Sequence, residues 1–97
     1  MGSKNFKYLD ELIHSGIKEI VLDSDIVLSD DEELQYLEGI KLDVDDLIIN
    51  GNGHRIDAQG KTRIFEANGK NIILKTLYLK MDLILMLEQY TIKNSVV

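Results

Sequence analysis

The segment "LIINGNGHRIDAQG", residues 47–60, decides the fold. Three aliphatic residues run into a polar turn with two glycines, and a short alternating segment follows. Gly51 and Gly53 can adopt positive φ, and Asn50 and Asn52 tolerate left-handed geometry while hydrogen-bonding the nearby backbone. The segment therefore predicts two short strands joined by a tight corner.

The aliphatic triplet of this segment recurs further along the chain. "VDDLIIN" resembles "GKNIILK", and the triplets at 47–49 and 72–74 lie 25 residues apart. Between them, "AQGKT" and "ANGKN" have the composition of corners of the same kind, with Gly60 and Gly69. A period of about 20–50 residues is typical of solenoids. We expect coils of three short strands, stacked in parallel with their aliphatic side chains turned inward.

The first 16 residues predict an amphipathic capping helix. Ser3 or Asn5 can cap its start, and Gly16 can end it. Its apolar residues recur at helical spacing and would lie on one face, which consists of Phe6, Leu9, Leu12 and Ile13. We expect this helix to cover one edge of the core.

A second short helix is predicted at residues 30–38. Ser29 and Glu32 have the spacing of a capping box, and Gly39 can end the helix. Leu34 and Leu37 would form its inward face. The remainder of residues 17–75, including "KEIVLDSDIVLS" at 18–29, has the composition of short strands.

The predicted fold class is all-β. It is a short parallel solenoid of about three coils, with an N-terminal amphipathic capping helix and a second short helical insertion, and the family resemblance given below implies a right-handed parallel β-helix. The chain of 97 residues divides into the capping helix at 1–16, the coils at 17–75 and an atypical tail at 76–97. One small domain accounts for this length.

The composition excludes several classes of partner and site. With 17 acidic and 11 basic side chains the net charge is -6, whereas nucleic acids and anionic membranes select for clustered Lys and Arg. No Cys is present, so neither a disulfide nor a thiolate metal site can form. The beginning "MGSKNFKYLDELIHSG" lacks the apolar run of a signal peptide. We therefore expect no nucleic-acid partner, no membrane partner and, for the chain as written, a cytoplasmic location.

Residues 48–75, "IINGNGHRIDAQGKTRIFEANGKNIILK", resemble a known family. They are similar to the amino-terminal capping region and first coils of the right-handed parallel β-helix, adhesin-like repeat proteins of methane-producing archaea. In that family "DGNGHTIDAQG" and "RIF" precede "NITIKNLTFKNG", and the resemblance covers roughly residues 4–75. It implies surface display and adhesion rather than catalysis, with a carbohydrate or cell-surface ligand for the longer form. Thr76 departs from the family, which usually has Asn there.

The tail "TLYLKMDLILMLEQYTIKNSVV", residues 76–97, departs further from the resemblance. Read one base earlier with common A/T-rich codons, it can give "NFIFKNGFNSNAGAIYNKEL", which is close to the family pattern. We favour the hypothesis that one base was lost near Lys75; the alternative is that "YTIKNSVV" is a genuine further coil. A strand or a helix in the tail would cap the open end, and resequencing of the coding DNA decides between the hypotheses.

No residue of the sequence is assigned a catalytic, cofactor-binding or metal-binding role, and no cofactor is expected. Asp residues favour helix starts and turns for local reasons. Capping and corner roles therefore explain the acidic residues Asp23, Asp25, Asp30, Asp31, Asp43, Asp45 and Asp46 better than calcium binding does. His14 and His54 lack a neighbouring nitrogen or thiolate in the sequence, which argues against metal ligation.

The leading function is a non-catalytic structural or binding module, the cap and first rungs of an adhesin-like protein, truncated in this form. The alternative is a fragment of a carbohydrate-active β-helix enzyme, either a polysaccharide lyase or a hydrolase. Arg55 and Asp57 would share one side of a strand and Arg63 would lie one coil above, although such enzymes need several converging carboxylates. A third hypothesis is a truncated product whose open end forms an edge-to-edge homo-oligomer.

Overall fold

A computed structural model describes residues 2–80 and 84–92. Within these ranges the chain forms one α-helix, α1 (Phe6–Ile13), and a single 3₁₀ turn (Asp30–Glu32). The eight strands are β1 (Glu19–Val21), β2 (Ile26–Val27), β3 (Ile40–Leu42), β4 (Ile48–Asn50), β5 (Arg55–Asp57), β6 (Phe65–Ala67), β7 (Ile72–Lys80) and β8 (Ile84–Ile92).

Strands that are distant in sequence stack in parallel. β1 pairs with β4, and β4 pairs with the first half of β7; β2 pairs with β5, and β5 pairs with the second half of β7. β3 pairs with β6 in a separate sheet. Ile48 lies opposite Ile73, so the 25-residue spacing of the aliphatic triplets is confirmed as a stacking period. The molecule is mostly β, with parallel strands in a curled sheet, which is consistent with a partial β-helix.

The core lies between the sheets and α1. Along each short strand, alternate side chains are buried and exposed, as the period of two requires. Ile49 in β4 and Ile56 in β5 are buried, whereas Val21 in β1 stays 57% exposed. The buried aliphatic and aromatic side chains form one continuous cluster.

The predicted amphipathic helix is confirmed at α1. The Asn5 side chain accepts a hydrogen bond from the Tyr8 backbone N at 3.0 Å, which satisfies one free N–H of the first turn. Phe6, Leu9 and Ile13 are buried against β2 and β3, and Leu12 is half-buried. The backbone before α1 also bonds to β2, because Lys4 N donates to Asp25 O at 2.8 Å and Val27 N donates to Lys4 O at 2.7 Å.

The predicted helix at 30–38 is wrong in extent and in its inward face. Only the 3₁₀ turn forms, and residues 33–38 continue as turns. Leu34 and Leu37 are exposed, whereas Glu32 and Tyr36 are buried. The cause is tertiary, because the Glu32 carboxylate accepts bonds from Phe6 N at 2.8 Å, Lys7 N at 3.2 Å and Ser29 N at 3.0 Å.

Tyr36 completes the contact of the 3₁₀ segment with α1. Its ring packs edge-to-face on Phe6 with centroids 5.8 Å apart, and its hydroxyl donates to Asp10 Oδ2 at 2.8 Å. Burial raises the pKa of Tyr36 above its usual range, and the hydrogen bond to Asp10 adds to the shift. The hydroxyl therefore stays protonated and keeps its donor role.

The corner after β4 follows the sequence prediction in part. Asn52 and Gly53 have left-handed φ of 52° and 82°. Gly51 does not, and its role is close approach, since a Cβ there would lie 2.6 Å from Thr76 O. Gly60 has positive φ, but Gly69 packs against the backbone of Val44, so the later corners are not of one kind.

β8 runs antiparallel along the whole of β7. Lys80 lies opposite Ile84 and Ile72 lies opposite Ile92, so β8 covers the outer edge of both halves of β7. Within the described residues, the tail therefore consists of strand at 76–80 and 84–92, with no helix. Residues 81–83 and 93–97 lie outside the described residues, and with them most of the proposed further coil "YTIKNSVV".

Candidate functional site

The outward side chains of β2, β5 and β7 form two rows that run across these strands. The register of the strands places Arg55 opposite Tyr78 in one row, and Asp57 between Val27 and Lys80 in the other. The buried residues of the same strands, such as Ile56, point to the core. Parallel stacking therefore brings residues 23 to 30 positions apart in sequence onto one outer surface.

Asp25 organises the first row from the residue before β2. One carboxylate oxygen, Oδ1, lies 3.2 Å from His54 Nδ1 and accepts a bond from the Arg55 backbone N at 3.1 Å. The second oxygen lies 3.5 Å from Arg55 Nε. The corner after β4 makes this possible, because the bond from His54 N to Gly51 O turns the chain back towards Asp25.

Two adjacent grooves meet at Asp25. The upper groove, of about 380 Å³, is lined by Asp25, Gly53, Arg55 and Tyr78. The lower groove, of about 420 Å³, is lined by Gly2, Ser3, Asp23, Ser24, Asp25 and His54. Both volumes are within the range of about 300–1,000 Å³ for small-molecule sites. We call the two together the corner groove.

Tyr78 supplies the aromatic surface of the corner groove. It is 37% exposed, and it lies between Leu77 and Leu79, which are buried. An exposed aromatic ring beside a carboxylate and a guanidinium offers one apolar face together with hydrogen-bond donors and acceptors. Such an arrangement suits binding of a polar ligand with an apolar face.

A larger groove, of about 630 Å³, lies between the residues before α1 and the start of the 3₁₀ turn. Its polar side chains already make internal contacts. Asn5 caps α1, the Lys4 ammonium lies 5.3 Å from the centre of the Tyr8 ring, and Asp30 pairs with Lys61 at 3.1 Å. These groups support the fold, so we place the candidate site in the corner groove.

Three of the acidic residues considered for calcium have corner or capping roles in the structure. Asp45 accepts from Lys70 N at 2.8 Å, and Asp46 accepts from Asn71 Nδ2 at 2.9 Å, so each carboxylate joins two stacked corners. Asp31 accepts from the Ser29 hydroxyl at 2.7 Å. Within residues 2–80 and 84–92 no three acidic, His or Cys side chains form a group that could hold a metal ion.

His14 joins the end of α1 to the corner after β3. Its Nε2 lies 2.6 Å from Asp43 Oδ1, and its Nδ1 lies 2.9 Å from both Asp10 O and Asp10 Oδ1. Partial burial lowers the pKa of His14, but the bond to Asp10 and the Asp43 carboxylate outweigh it and raise the pKa above 6.5. With both ring nitrogens facing oxygen atoms, the protonated imidazole is the form that satisfies both contacts.

The residues considered for catalysis are only partly brought together. Arg55 and Asp57 share the outer side of β5, as predicted. Asp57 accepts from Gln59 N at 2.7 Å and lies 3.8 Å from Lys80 Nζ. Arg63 makes its ion pair with Glu38 at 3.5 Å, before β3. The Arg63 backbone N also donates to Leu37 O at 3.3 Å, so both contacts of Arg63 are with the segment before β3.

Sequence reasoning did not single out Tyr78 as a functional residue. The signal that could have found it is the alternation of "TLYLK", which turns Tyr78 outward when the leucines turn inward. The stacking period then places it over β5.

In the described part of the chain, no helix is long and apolar enough to cross a membrane.

A family comparison accounts for this arrangement of strands. A family model described as "Putative pectate lyase-like adhesive domain" matches residues 6–83, from the first residue of α1 to beyond the end of β7. No curated protein and no solved structure matches the chain significantly. Because the family model matches most of the chain, the protein belongs to the pectate lyase-like adhesive domain family.

Proposed function

We propose that this chain is a non-catalytic adhesive module that binds surface carbohydrate through the corner groove. The observation that carries the proposal is the exposed Tyr78 ring beside the Asp25–Arg55 pair. The family match supports an adhesive role. Parallel stacking supplies a rigid surface for it, because every strand of the groove is held by a neighbour and a buried core.

The proposal extends to the place of this chain in a larger architecture. We infer that α1 is the cap of a right-handed β-helix of about three coils, as in the archaeal adhesin-like proteins that the sequence resembles. The packing of α1 on β2 and β3 supports the inference, as does the bridge from Lys4 to Ile26. In a longer form, further coils would extend the same outer surface.

Glycan binding by the purified chain tests the proposal. We expect the protein to bind part of an immobilised polysaccharide panel, and Tyr78→Ala to weaken that binding by about tenfold, because aromatic anchors carry much of the energy of binding. Leu34→Ala is the matched control, since Leu34 is 83% exposed outside the corner groove and its loss should leave binding unchanged. Absence of binding to every glycan would refute the proposed function.

A second candidate is a carbohydrate-active enzyme fragment, favoured by the shared outer side of Arg55 and Asp57. Release of reducing or unsaturated sugar from polysaccharides distinguishes it from the first. An enzyme would lose product formation in Asp57→Asn. An adhesive module would form no product, and the same variant would keep its glycan binding.

A further inference from the structure

We propose that the corner groove selects a neutral saccharide of at least two units, with one ring on Tyr78 and the next beyond Asp25. The inference rests on the proposed function, and it adds the charge class, the length and the orientation of the ligand. Four properties of the groove carry it: its charges, its hydrogen-bonding groups, the exposed aromatic ring and its division into two parts.

The charges of the described residues around the groove are unfavourable for an acidic sugar. Arg55 Nε lies 3.5 Å from Asp25, and Lys80 Nζ lies 3.8 Å from Asp57, so each cation already faces a carboxylate. Asp23 adds a further negative charge in the lower part. The chain as a whole carries -6, which repels polyanions at long range. A uronate would therefore meet carboxylates of its own charge, together with cations that already have a counterion.

The hydrogen-bonding groups match neighbouring hydroxyls. The Asp25 carboxylate is an acceptor, and the Arg55 guanidinium has several N–H donors in a fixed plane. A sugar hydroxyl both donates and accepts, so two adjacent hydroxyls can bond to this pair without displacing either charge. Ser3 and Ser24 provide further hydroxyls in the lower part.

The ring of Tyr78 and the absence of a side chain at Gly53 shape the upper part. A Cβ built at Gly53 would meet nothing within 4 Å, so a side chain there would extend into open space at the groove. Gly53 has φ of 82°, a conformation that Asn tolerates better than other side chains. Gly53→Asn is therefore the substitution that fills the groove with the least backbone strain.

The division at Asp25 sets the length of the ligand. The upper part of about 380 Å³ and the lower part of about 420 Å³ share Asp25 as a common wall. A single sugar ring would occupy one part of the groove, and the protein hydroxyl groups of the other part would make no bond to the ligand. A disaccharide or a longer saccharide can engage both.

Calorimetric titration of the full chain tests the inference. The probes are neutral mono-, di- and tetrasaccharides from glucan, mannan and galactan, together with oligogalacturonate of matched length, at low salt and at about 0.15 M salt. We expect a neutral disaccharide to bind about tenfold more tightly than its monosaccharide, with little salt dependence. Tyr78→Ala and Gly53→Asn should each weaken it about tenfold, and Leu34→Ala should not.

The outcomes separate the inference from the proposed function. Tighter binding of oligogalacturonate than of neutral sugars would overturn the charge class while leaving carbohydrate binding intact. Neutral binding that survives both Tyr78→Ala and Gly53→Asn, in variants shown to be folded by circular dichroism, would overturn the location. Equal affinity for mono- and disaccharide would overturn the two-part site. Wild-type protein that binds none of the probes would count against both proposals.

Discussion

Thr76 has a strained backbone conformation within β7, the longest of the parallel strands. Its φ is 50°, in the left-handed region that β-branched residues avoid. The strain persists because the carbonyl of Thr76 accepts from Gly53 N at 2.9 Å and its backbone packs over Gly51. The family that the sequence resembles usually has Asn at this position, and Asn adopts this conformation at a lower energetic cost.

Thr76→Asn should therefore stabilise the protein. We expect the free energy of unfolding to rise by about 1 kcal/mol, since a non-glycine residue in a sparsely populated backbone region costs about that much or more. Urea denaturation of wild type and variant measures the difference. Thr91→Asn is the control, because Thr91 is an exposed residue in β8 without positive φ. An unchanged or lowered stability of Thr76→Asn would contradict the prediction.

Glu32 is the buried charged residue on which α1 depends. Its two carboxylate oxygens accept from three backbone N–H groups, two of them in the first turn of α1. A carboxylate at this position also faces the positive end of the helix dipole.

Glu32→Gln should destabilise the protein by about 2–3 kcal/mol. The amide nitrogen that replaces one oxygen cannot accept a bond, which leaves a backbone N–H without its partner and removes a charge-assisted interaction. Urea denaturation is again the measurement. Glu33→Gln makes the same chemical change at the half-buried neighbour, and there we expect a change within about 0.5 kcal/mol. Equal effects of the two substitutions would show that the bonds of Glu32 contribute little.

At the scale of elements, His14 links α1 to the corner between β3 and β4. The folded pKa of His14 lies above 6.5, so protonation favours the folded state. The stabilisation is fully present below about pH 6.5 and is lost as the pH rises through the folded pKa. Because the side chain is 37% exposed, solvent screening limits it to about 0.5 kcal/mol.

His14→Gln should remove this part of the pH dependence. Between roughly pH 5.5 and 8.5 we expect the urea midpoint of wild type to fall relative to that of the variant, because only wild type loses a stabilising proton. Asp43→Asn should reduce the same effect without removing it, since the contacts to Asp10 remain. Parallel curves for wild type and His14→Gln would argue against a titrating link at this position.

The elements differ in how far the sequence could predict them. Strands and corners depend on local chemistry, so the alternation of Ile20 and Leu22 and the turn at Asn52 were predictable. The inward face of the 3₁₀ segment was not predictable, because Glu32 turns inward to accept a hydrogen bond from the backbone N of Phe6, 26 residues away. The corner groove was missed for the same reason, since Asp25 meets Arg55 only after 30 residues of chain have closed one coil.

At the scale of the whole molecule, β8 lies along the edge of β7 on which a further parallel coil would otherwise stack. Its nine residues pair with both halves of β7 and cover a backbone edge that crosses two columns of strands. An uncovered edge of that length is a template for pairing with another chain. The origin of the tail in a shifted reading frame stays a prediction, and resequencing the coding DNA tests it.

A chain that ends at Lys80 should self-associate more strongly than the full chain. It would expose the nine-residue edge of β7, and the unpaired N–H and C=O groups of such an edge can pair with the edge of another chain. Sedimentation velocity over a range of concentrations compares the two, and we expect the full chain to sediment closer to the monomer. If both chains sediment as monomers throughout, the covering role of β8 is refuted.

The pairing pattern of β7 has a consequence for the order of folding. Its parallel partners lie 23 to 25 residues earlier in sequence, whereas its antiparallel partner β8 begins four residues after Lys80. Short loops close sooner than long ones, and a hairpin forms in about 1–10 μs. During refolding from urea β7 and β8 should meet first, whereas during synthesis β8 emerges only after β4 and β5, the parallel partners of β7. We therefore expect synthesis on the ribosome and refolding from urea to assemble these strands in opposite orders.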